Sequence, residues 1–506
     1  MKDSKYPCKI PSRTVLLLGF LLLLLQTGQA AGLATPTTTS ADASRSSTVR
    51  SVVSTKKNGG HSQTFTFHKT LVGGDDDDNS KVMQHRQSNQ RSTSALDIVH
   101  NLQAGLRSTF LPSGFPLQTP AGYLQYSAWS WIQDLSTQLR AVLATQRVLE
   151  GVGVGRAGAT ALSAIMNFIV RDGCGMAATL LFTSVAASRF RTDIKRWRLF
   201  ADVMVDIGIT LEVAAAQVPT AFFLPMICVG NMCKAICGVA AGACGGAINL
   251  HWATGSDISD ISAKFGAQHT VTGSLGLVFA ALFAKKVSTV KLSHLWMLYS
   301  FLTALHIFAN MRCMRLIAFS SLNTVRMNMV LADFFQGWSQ QQQSDAATTV
   351  QSSPLASPIQ ISKQEALFFW PRFLRRKQPS MPIYFGVSFN EFSRQSLYST
   401  TELEAMLLQD EKSYWISAGK SAIAVAIQAD TSPVNQAKAY FHALLLAREL
   451  QGKRPTSSQE RLAVERAVLV QLDAAWNTFT SQCHQAGWDL TTCELRSKGY
   501  EIAIQR

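Results

Sequence analysis

Long apolar stretches follow one another through the middle of the chain, and their pattern predicts a bundle of helices. The stretches are Gly158–Val170, Gly173–Ser188, Ile207–Cys233, Ala235–Leu250, Thr270–Ala284 and His294–Asn310. A helix that crosses a bilayer needs about 20 apolar residues, and most of these stretches are shorter or interrupted by polar residues. Two structures therefore stay open: tilted, broken or re-entrant membrane spans, and the core helices of a large bundle.

The C-terminal part has a different pattern, with short strand-like runs between amphipathic helices. We predict strands at Met381–Phe389 and Lys420–Gln428, and a hairpin over Trp488–Ile504. Helices are predicted over Pro433–Leu450, after the capping residue Ser432, and over Glu460–Phe479. The predicted fold is mainly α: a multi-helix apolar bundle, with membrane embedding as one of its two forms, followed by a small α+β C-terminal domain.

Composition shifts divide the chain into five segments. Ser, Thr, Pro and Gln are frequent between the bundle and the α+β domain, which indicates a linker. We predict a signal peptide over 1–30, a disordered segment with transit-like composition over 31–100, a helical domain over 101–335, a linker over 336–380 and the α+β domain over 381–506.

The amino terminus has the features of a targeting region. Basic residues precede the leucine-rich run Val15–Leu25, and the small residues of Gly28-Gln-Ala30 follow it, as in a secretory signal peptide. A signal anchor is the alternative. Residues 31–69 are rich in Ser and Thr, with Asp42 as the single acidic residue, which resembles the second part of a bipartite plastid leader. An ordinary disordered linker is the other interpretation. We expect entry into the secretory pathway, a membrane location and, for a bipartite leader, a plastid.

Apolar residues make up 47% of the 506 residues and charged residues only 16%, below the usual quarter or so. This composition is typical of a membrane-associated protein or of an unusually apolar helical core. The net charge of +15 predicts an anionic partner. Because the cations cluster beside apolar runs, at 189–198, 285–291 and 372–377, we expect a membrane surface and no nucleic acid.

The segment Lys195-Arg-Trp-Arg-Leu-Phe-Ala-Asp-Val-Met-Val-Asp206 is unusually charged for its apolar surroundings. On a helix, Arg198, Asp202 and Asp206 share one face at i, i+4 spacing. Buried charges cost several kcal/mol each unless they are paired or hydrogen-bonded. The segment therefore predicts either an internal network of ion pairs or a binding site.

Two further patterns predict contacts of helices. Gly238, Gly242 and Gly246 recur every four residues on an apolar helix, which favours close packing against another helix. Asp260 and Lys264 have the i, i+4 spacing of a helical salt bridge.

No motif in the sequence assembles a catalytic, metal or nucleotide site. The glycines of Gly153-Val-Gly-Arg-Ala-Gly158 fit a dinucleotide motif, but a helix rather than a strand precedes them, which favours a glycine hinge. Cys228, Cys233, Cys237 and Cys244 lack zinc-site spacing and are interpreted as small buried apolar residues. His251, His269, His294 and His306 form no metal-binding pair. We predict a non-enzymatic protein with no supported metal or nucleotide site and an unknown cofactor.

A series of short motifs in order resembles the root UVB-sensitive family from about residue 110 to 331. The matching segments are Leu111-Pro-Ser-Gly-Phe-Pro116, Tyr123 with Tyr126 and Trp129, Leu149–Gly155, Arg171–Met176, Lys195–Asp206, Lys234–Gly242, Asp260–Lys264 with Gly266 and Gln268, and His306–Asn310 with Leu322, Asn323 and Arg326. The chain departs from the family pattern at Gly122, Ser130, Phe265 and Met311, which suggests a divergent branch.

The resemblance implies no known reaction; it implies links to ultraviolet-B responses, early development, auxin transport and vitamin B6 status. In our first hypothesis, an interhelical pocket binds or passes a small anionic or B6-type ligand, and it is lined by Lys195, Arg196, Arg198, Asp202, Asp206, Asp260, Lys264, His306 and Asn310. In the alternative, the protein is a scaffold whose buried ion pairs are purely structural. The membrane is the expected partner, together with a homologous family member or a second copy of the chain.

Overall fold

A computed structural model describes residues 51–55, 62–66, 95–153, 161–255, 257–287, 291–343, 354–367, 381–399, 401–403, 413–419, 421–453, 455 and 457–502. The described part of the chain is mainly helical, with a few strands concentrated towards the C-terminus, which confirms the predicted fold class. The signal peptide predicted over 1–30 lies outside the described residues. Within the segment predicted to be disordered, strands β1 (Ser51–Thr55) and β2 (Ser62–Thr66) pair in antiparallel fashion.

Seven long helices build the first part of the structure. They are α1 (Ala95–Phe110), α2 (Tyr123–Val152), α3 (Ala161–Ala186), α4 (Ile194–Ala215), α5 (Thr220–Trp252), α6 (Ile258–Val287) and α7 (Leu292–Leu316). Helix α4 packs against α5, α2 and α7, and α3 packs against α5. In the described residues, α3, α5 and α7 are long and apolar enough to cross a membrane.

Proline and paired charges move the helix boundaries away from the apolar stretches. The stretch Ile207–Cys233 belongs to two helices, because Pro219 has an extended backbone conformation and caps the start of α5. Conversely, α3 continues through Arg171 and Asp172, whose side chains form a salt bridge at 2.8 Å. The motif at Gly153 ends α2: this glycine has φ 94° and accepts the left-handed conformation of a helix terminus. The rest of that motif lies outside the described residues.

Strands and helices of the C-terminal part enclose a second core. After β3 (Ser321–Asn323), the elements are α8 (Thr324–Gln343), α9 (Pro358–Gln364), β4 (Ile383–Phe385), α10 (Phe389–Gln395), β5 (Tyr414–Ala418), β6 (Ile423–Ile427), α11 (Pro433–Lys453), α12 (Ser458–Ala486) and β7 (Asp489–Glu494). Strand β6 lies between β4, which is parallel to it, and β5, which is antiparallel. Helix α8 contributes Leu331 and Phe334 to the core that α11 and α12 form.

Two features of this region differ from the sequence-based expectation. The predicted hairpin over Trp488–Ile504 is wrong, because β7 pairs in parallel with β3 and Ile502 pairs with Gln428. The segment predicted to be a linker contains α9, on which Ser362 is buried, and the buried residue Glu365 directly after it.

Helices α4 and α5 approach each other closely at a pair of glycines outside the predicted glycine stripe. A Cβ atom on Gly208 of α4 would lie 2.6 Å from the carbonyl oxygen of Gly230 on α5. At Gly238, Gly242 and Gly246, by contrast, no heavy atom of the described chain lies within 4 Å of such a Cβ. Within the described residues, no neighbouring helix of this chain fills the space at these three glycines, so close packing at them stays a prediction.

Replacing Gly208 with alanine should separate α4 from α5, because the new methyl group meets backbone rather than a flexible side chain. Overpacking of this kind costs about 1–3 kcal/mol of unfolding free energy. The matched variant Gly238→Ala enters open space and should be neutral or stabilising by up to about 1 kcal/mol through helix propensity. Thermal unfolding of both variants checks this; equal melting temperatures would contradict the assigned crossing point.

Candidate functional site

Helix α4 and the turn before it carry a row of charged residues through the interior of the helical bundle. We call this row the polar spine; its residues are Asp193, Lys195, Arg196, Arg198, Asp202, Asp206 and Glu212. Every member except Arg198 is at most 5% exposed. Because isolated charges are so costly in an apolar interior, the partners of these side chains decide what the spine can do.

Asp206 lies where α4 meets α2 and α7. Its carboxylate forms a salt bridge with Arg140 of α2, which is fully buried, and contacts Nδ1 of His306 at 2.9 Å. Arg140 Nε also donates to the carbonyl oxygen of Ser136 at 3.2 Å. Sequence reasoning identified Asp206 and His306 but missed Arg140. A polar face on α2, with Gln133, Ser136 and Arg140 at spacings of three and four, was the signal that pointed to it.

Asp202 is surrounded by hydrogen-bond donors from its own helix and from two others. Arg198, one turn earlier on α4, pairs with it as the i, i+4 spacing predicts. Gln133 Nε2 donates to Asp202 Oδ2 at 2.8 Å, and the amide of Asn310 donates to the same oxygen. The structure therefore brings Arg198, Asp202 and Asn310 together, and it adds Gln133, which the sequence did not single out.

Lys195 contacts residues from the segment that was expected to be a linker. Its Nζ donates to Ser362 Oγ at 2.8 Å and lies 3.0 Å from Glu365 Oε2. Arg326 Nε approaches the other oxygen of Glu365 at 3.4 Å. Burial alone would raise the pKa of the Glu365 carboxyl, but the two cations hold that pKa at about 2. Glu365 is therefore ionised at neutral pH and compensates two buried cations.

The remaining charges at the start of α4 connect it to the C-terminal part. Arg196 Nε donates to the carbonyl oxygen of Ala366 at 2.9 Å, and its guanidinium lies 3.4 Å from Asp193. Asp193 also accepts from Arg496 Nε at 2.6 Å, just beyond β7. At the other end of the spine, Glu212 pairs with Lys234 of α5.

Asp260 and Lys264 form the predicted helical salt bridge, at 3.3 Å, but among the described residues their hydrogen bonds and ion pairs do not reach the spine. Asp260 instead accepts from the backbone N–H of Ser113 at 2.8 Å, and Lys264 donates to the carbonyl oxygen of Ser108. On the same helix, Gln268 donates to the carbonyl oxygen of Phe110 at 2.9 Å. These three residues fix the end of α1 and the segment that follows it on helix α6.

Each charge of the spine has a charged partner in the described structure. Asp193, Asp202 and Asp206 each accept from two or more donors, and Glu212 accepts from Lys234, so none is a free general base in this conformation. Among the described residues, no group of His, Cys, Asp and Glu could hold a metal ion. The arrangement is suited to fixing the positions of α2, α4, α5, α7 and α9, and a ligand anion would bind only by displacing a carboxylate.

Replacing Glu365 with glutamine should destabilise the protein more than replacing Lys195 with methionine. The first change leaves Lys195 and Arg326 buried without a counter-charge, at a cost of about 3–5 kcal/mol, whereas the second leaves Arg326 to compensate Glu365. Because the pKa of Glu365 is depressed on folding, its contribution to stability is complete above pH 4.5 and is lost as the pH falls towards about 2.

Unfolding free energies measured between pH 3 and pH 7 check both the ranking and the pH profile. Glu494→Gln is the matched control, because its partner Arg191 is 80% exposed, and we expect it to change stability by about 1 kcal/mol or less. A larger loss in Lys195→Met than in Glu365→Gln would contradict the assigned pairing.

Comparisons with known proteins agree with the motifs in the sequence. A family model described as "Vitamin B6 photo-protection and homoeostasis domain" matches residues 98–337, and one described as "Root UVB sensitive protein, C-terminal" matches residues 354–499. No solved structure matches the chain.

Curated relatives come from a plant and an amoeba. Protein root UVB sensitive 3 of Arabidopsis thaliana is 30% identical over 67% of this chain and 74% of its own length. RUS family member 1 of Dictyostelium discoideum is 30% identical over 51% of this chain, a match that spans about half (47%) of that protein. Protein root UVB sensitive 2, chloroplastic, of Arabidopsis thaliana is 25% identical over 75% of this chain and 80% of its own length. These names state no enzymatic activity. Together, the two family models and these relatives show that the chain belongs to the root UVB sensitive family.

Proposed function

We propose that this protein is a membrane-embedded, non-enzymatic member of the family that acts in vitamin B6 homeostasis and in the response to ultraviolet-B light. The physiological role follows from the description of the matched family domain and from the names of the relatives. The membrane assignment is supported by one structural observation, the distribution of apolar and charged side chains in the helical bundle.

The bundle carries apolar side chains outside and charged side chains inside. On α3, Leu162, Met176 and Leu180 are about 70% exposed (70%, 69% and 73%), whereas Arg140 and Lys195 in the interior are 0% and 2% exposed. A protein dissolved in water buries its apolar residues and exposes its charges. Since lipid is the solvent in which the reverse arrangement is stable, we place α3, α5 and α7 in a membrane.

Within a membrane, buried ionisable residues mark functional sites more often than in a soluble protein. In the proposed function, the spine binds or passes a small anion, such as a phosphorylated B6 vitamer. Lys195, Arg196 and Arg198 supply positive charge, and the carboxylates orient these cations. His306 and Asn310, both on α7, supply hydrogen bonds. Ligand entry requires that the anion replace a carboxylate partner, such as Glu365 beside Lys195.

Every charge of the spine has a charged partner, and this favours a second candidate function. In that function, the protein is a scaffold and the spine only holds the helices together. Asp206, for example, contacts both Arg140 and His306, and Asp202 accepts from three different residues. In that function, partner proteins would bind elsewhere on the molecule, and the spine would never meet a ligand.

The location that we propose is a plastid membrane reached through the secretory pathway. Supporting it are the word "chloroplastic" in the name of one relative and the basic and apolar leader in the sequence.

Membrane embedding predicts that the processed protein stays in the pellet after alkaline carbonate extraction. Leu180→Asp on α3 should release part of it, because an acidic residue within a span costs insertion free energy, up to about 2.5–3.5 kcal/mol at the helix centre. Val470→Asp is the matched control: this residue is 88% exposed but lies on α12 in the α+β domain. Release of the unmodified protein into the soluble fraction would rule out membrane embedding.

Exchanging the two residues of one ion pair distinguishes the two candidate functions, a ligand-binding site and a scaffold. We expect the double variant Arg198→Asp with Asp202→Arg to fold, with a melting temperature lowered by a few degrees, and to lose binding of pyridoxal 5′-phosphate measured by calorimetry on the detergent-solubilised protein. The exchange of Lys234 and Glu212, a pair at the far end of the spine, is the control and should retain binding. Unchanged binding in the first double variant, or no binding in the unmodified protein, supports the scaffold.

A further inference from the structure

The outer side of helix α7 is uncharged in its middle and has a cation at each end. The exposed residues of its middle are Met297, Leu298, Ser300, Phe301, Ala304 and Phe308. Lys291 precedes this apolar band and Arg312 follows it, and both are exposed. At 1.5 Å per residue, a helix rises about 31 Å from residue 291 to residue 312, which matches the hydrocarbon thickness of a bilayer, about 30 Å. When α7 crosses a membrane, Arg312 therefore lies at the depth of the lipid headgroups.

Arg312 rests on an aromatic ring of a neighbouring helix. Its guanidinium carbon lies 5.5 Å from the ring centroid of Trp129 on α2, and this ring also packs edge-on against Phe308, with 5.5 Å between the centroids. The face of an indole ring attracts a cation, and tryptophan is enriched at membrane–water interfaces. The stack holds the guanidinium at the surface, where its planar N–H groups are suited to bind a phosphate.

Two more cations lie at this end of α7. Arg315, about one turn beyond Arg312, is exposed and donates to the backbone carbonyl oxygen of Lys363 on α9. Ser362 Oγ donates to the carbonyl oxygen of Arg315 at 3.0 Å, so α9 is fixed against the end of α7 beside the exposed Lys363. In the part of the chain that the structure describes, none of the three cations pairs with a carboxylate. Their charge is therefore available to an anion from outside.

We propose that Trp129, Arg312, Arg315 and Lys363 bind the headgroup of an acidic phospholipid at the membrane interface. The guanidinium groups donate to the phosphate oxygens, and Lys363 adds positive charge beside them. The acyl chains lie along the apolar band that ends at Phe308. Phosphatidylcholine fits less well, because its quaternary ammonium group cancels the charge of its phosphate and adds a cation next to three others.

The continuity of the cations with the apolar band favours a lipid over a free phosphate ion. A free ion uses the charges alone, whereas a phospholipid contacts both the cations and the exposed ring of Phe308, which is 47% exposed. The inference rests on the proposed embedding of α7 in a membrane. It does not depend on binding of a B6 vitamer by the spine.

The experiment titrates the detergent-solubilised full-length protein with dioctanoyl phosphatidylglycerol, dioctanoyl phosphatidylcholine or inorganic phosphate, and measures binding by calorimetry. We expect the acidic lipid to bind at least about tenfold more tightly than either of the other two. Arg312→Gln should weaken its binding about fivefold, and Arg312→Gln with Lys363→Gln about 25-fold, the effect of removing one and two cations near an acidic lipid. Because both side chains are exposed, the melting temperature should stay unchanged.

Arg191→Gln is the matched control, since it removes a cation that is 80% exposed but pairs with Glu494, and it should leave lipid binding unchanged. Three results would each overturn the proposal: equal affinity for the two lipids, unchanged lipid affinity in Arg312→Gln, or inorganic phosphate binding as tightly as the acidic lipid. Carbonate extraction tests membrane embedding separately. A protein that stays in the pellet but does not select the acidic lipid refutes the lipid site alone.

Discussion

A single carboxylate held between two buried cations is the interaction on which the arrangement of this molecule depends. Glu365 lies 3.0 Å from Lys195 on α4 and 3.4 Å from Arg326 on α8. None of the three charges is tolerable alone in an apolar interior, so α4, α8 and the segment after α9 are stable only in one another's presence. Ser362 reinforces the contact, because it accepts from Lys195 and donates to the carbonyl oxygen of Ile317 at the end of α7.

The same principle recurs along α4. In order along the helix, Arg198 pairs with Asp202, Arg140 with Asp206, and Lys234 with Glu212. Apolar packing alone leaves a helix free to slide or rotate among many similar arrangements. A charge that must meet its partner removes most of these alternatives, so the pairs specify the position and orientation of α4 among α2, α5 and α7. This specificity is compatible with either proposed function.

Local features of the site were predictable from the sequence, and distant ones were not. The spacing of Arg198 and Asp202 determines their contact because both residues lie on one helix. Asp206 gave no indication that Arg140, on a separate helix, would be its partner, since spacing along the chain says nothing about which helices meet. Glu365 was missed for a different reason: the average polarity of its segment predicts exposure, whereas its burial depends on Lys195 and Arg326.

For the glycine stripe and the last strand, too, the sequence does not identify the neighbouring element. Four-residue spacing shows that Gly238, Gly242 and Gly246 share a face, but the sequence does not say what covers that face. In the described structure, a close contact of α4 and α5 lies at Gly208 and Gly230. The run that begins at Trp488 predicted a strand correctly. Its partner is β3, far away in the sequence, because the ends of α7 and α12 bring these segments together.

The ion pair between Lys195 and Glu365 also indicates whether the two segments that match family models can fold independently. The two family models meet between residues 337 and 354, yet Lys195 belongs to the first matched segment and Glu365 to the second. Arg196 and Ala366 cross the same boundary. The two matched segments are therefore not autonomous modules in this chain: the first segment by itself would keep Lys195 in its interior without the carboxylate that compensates it.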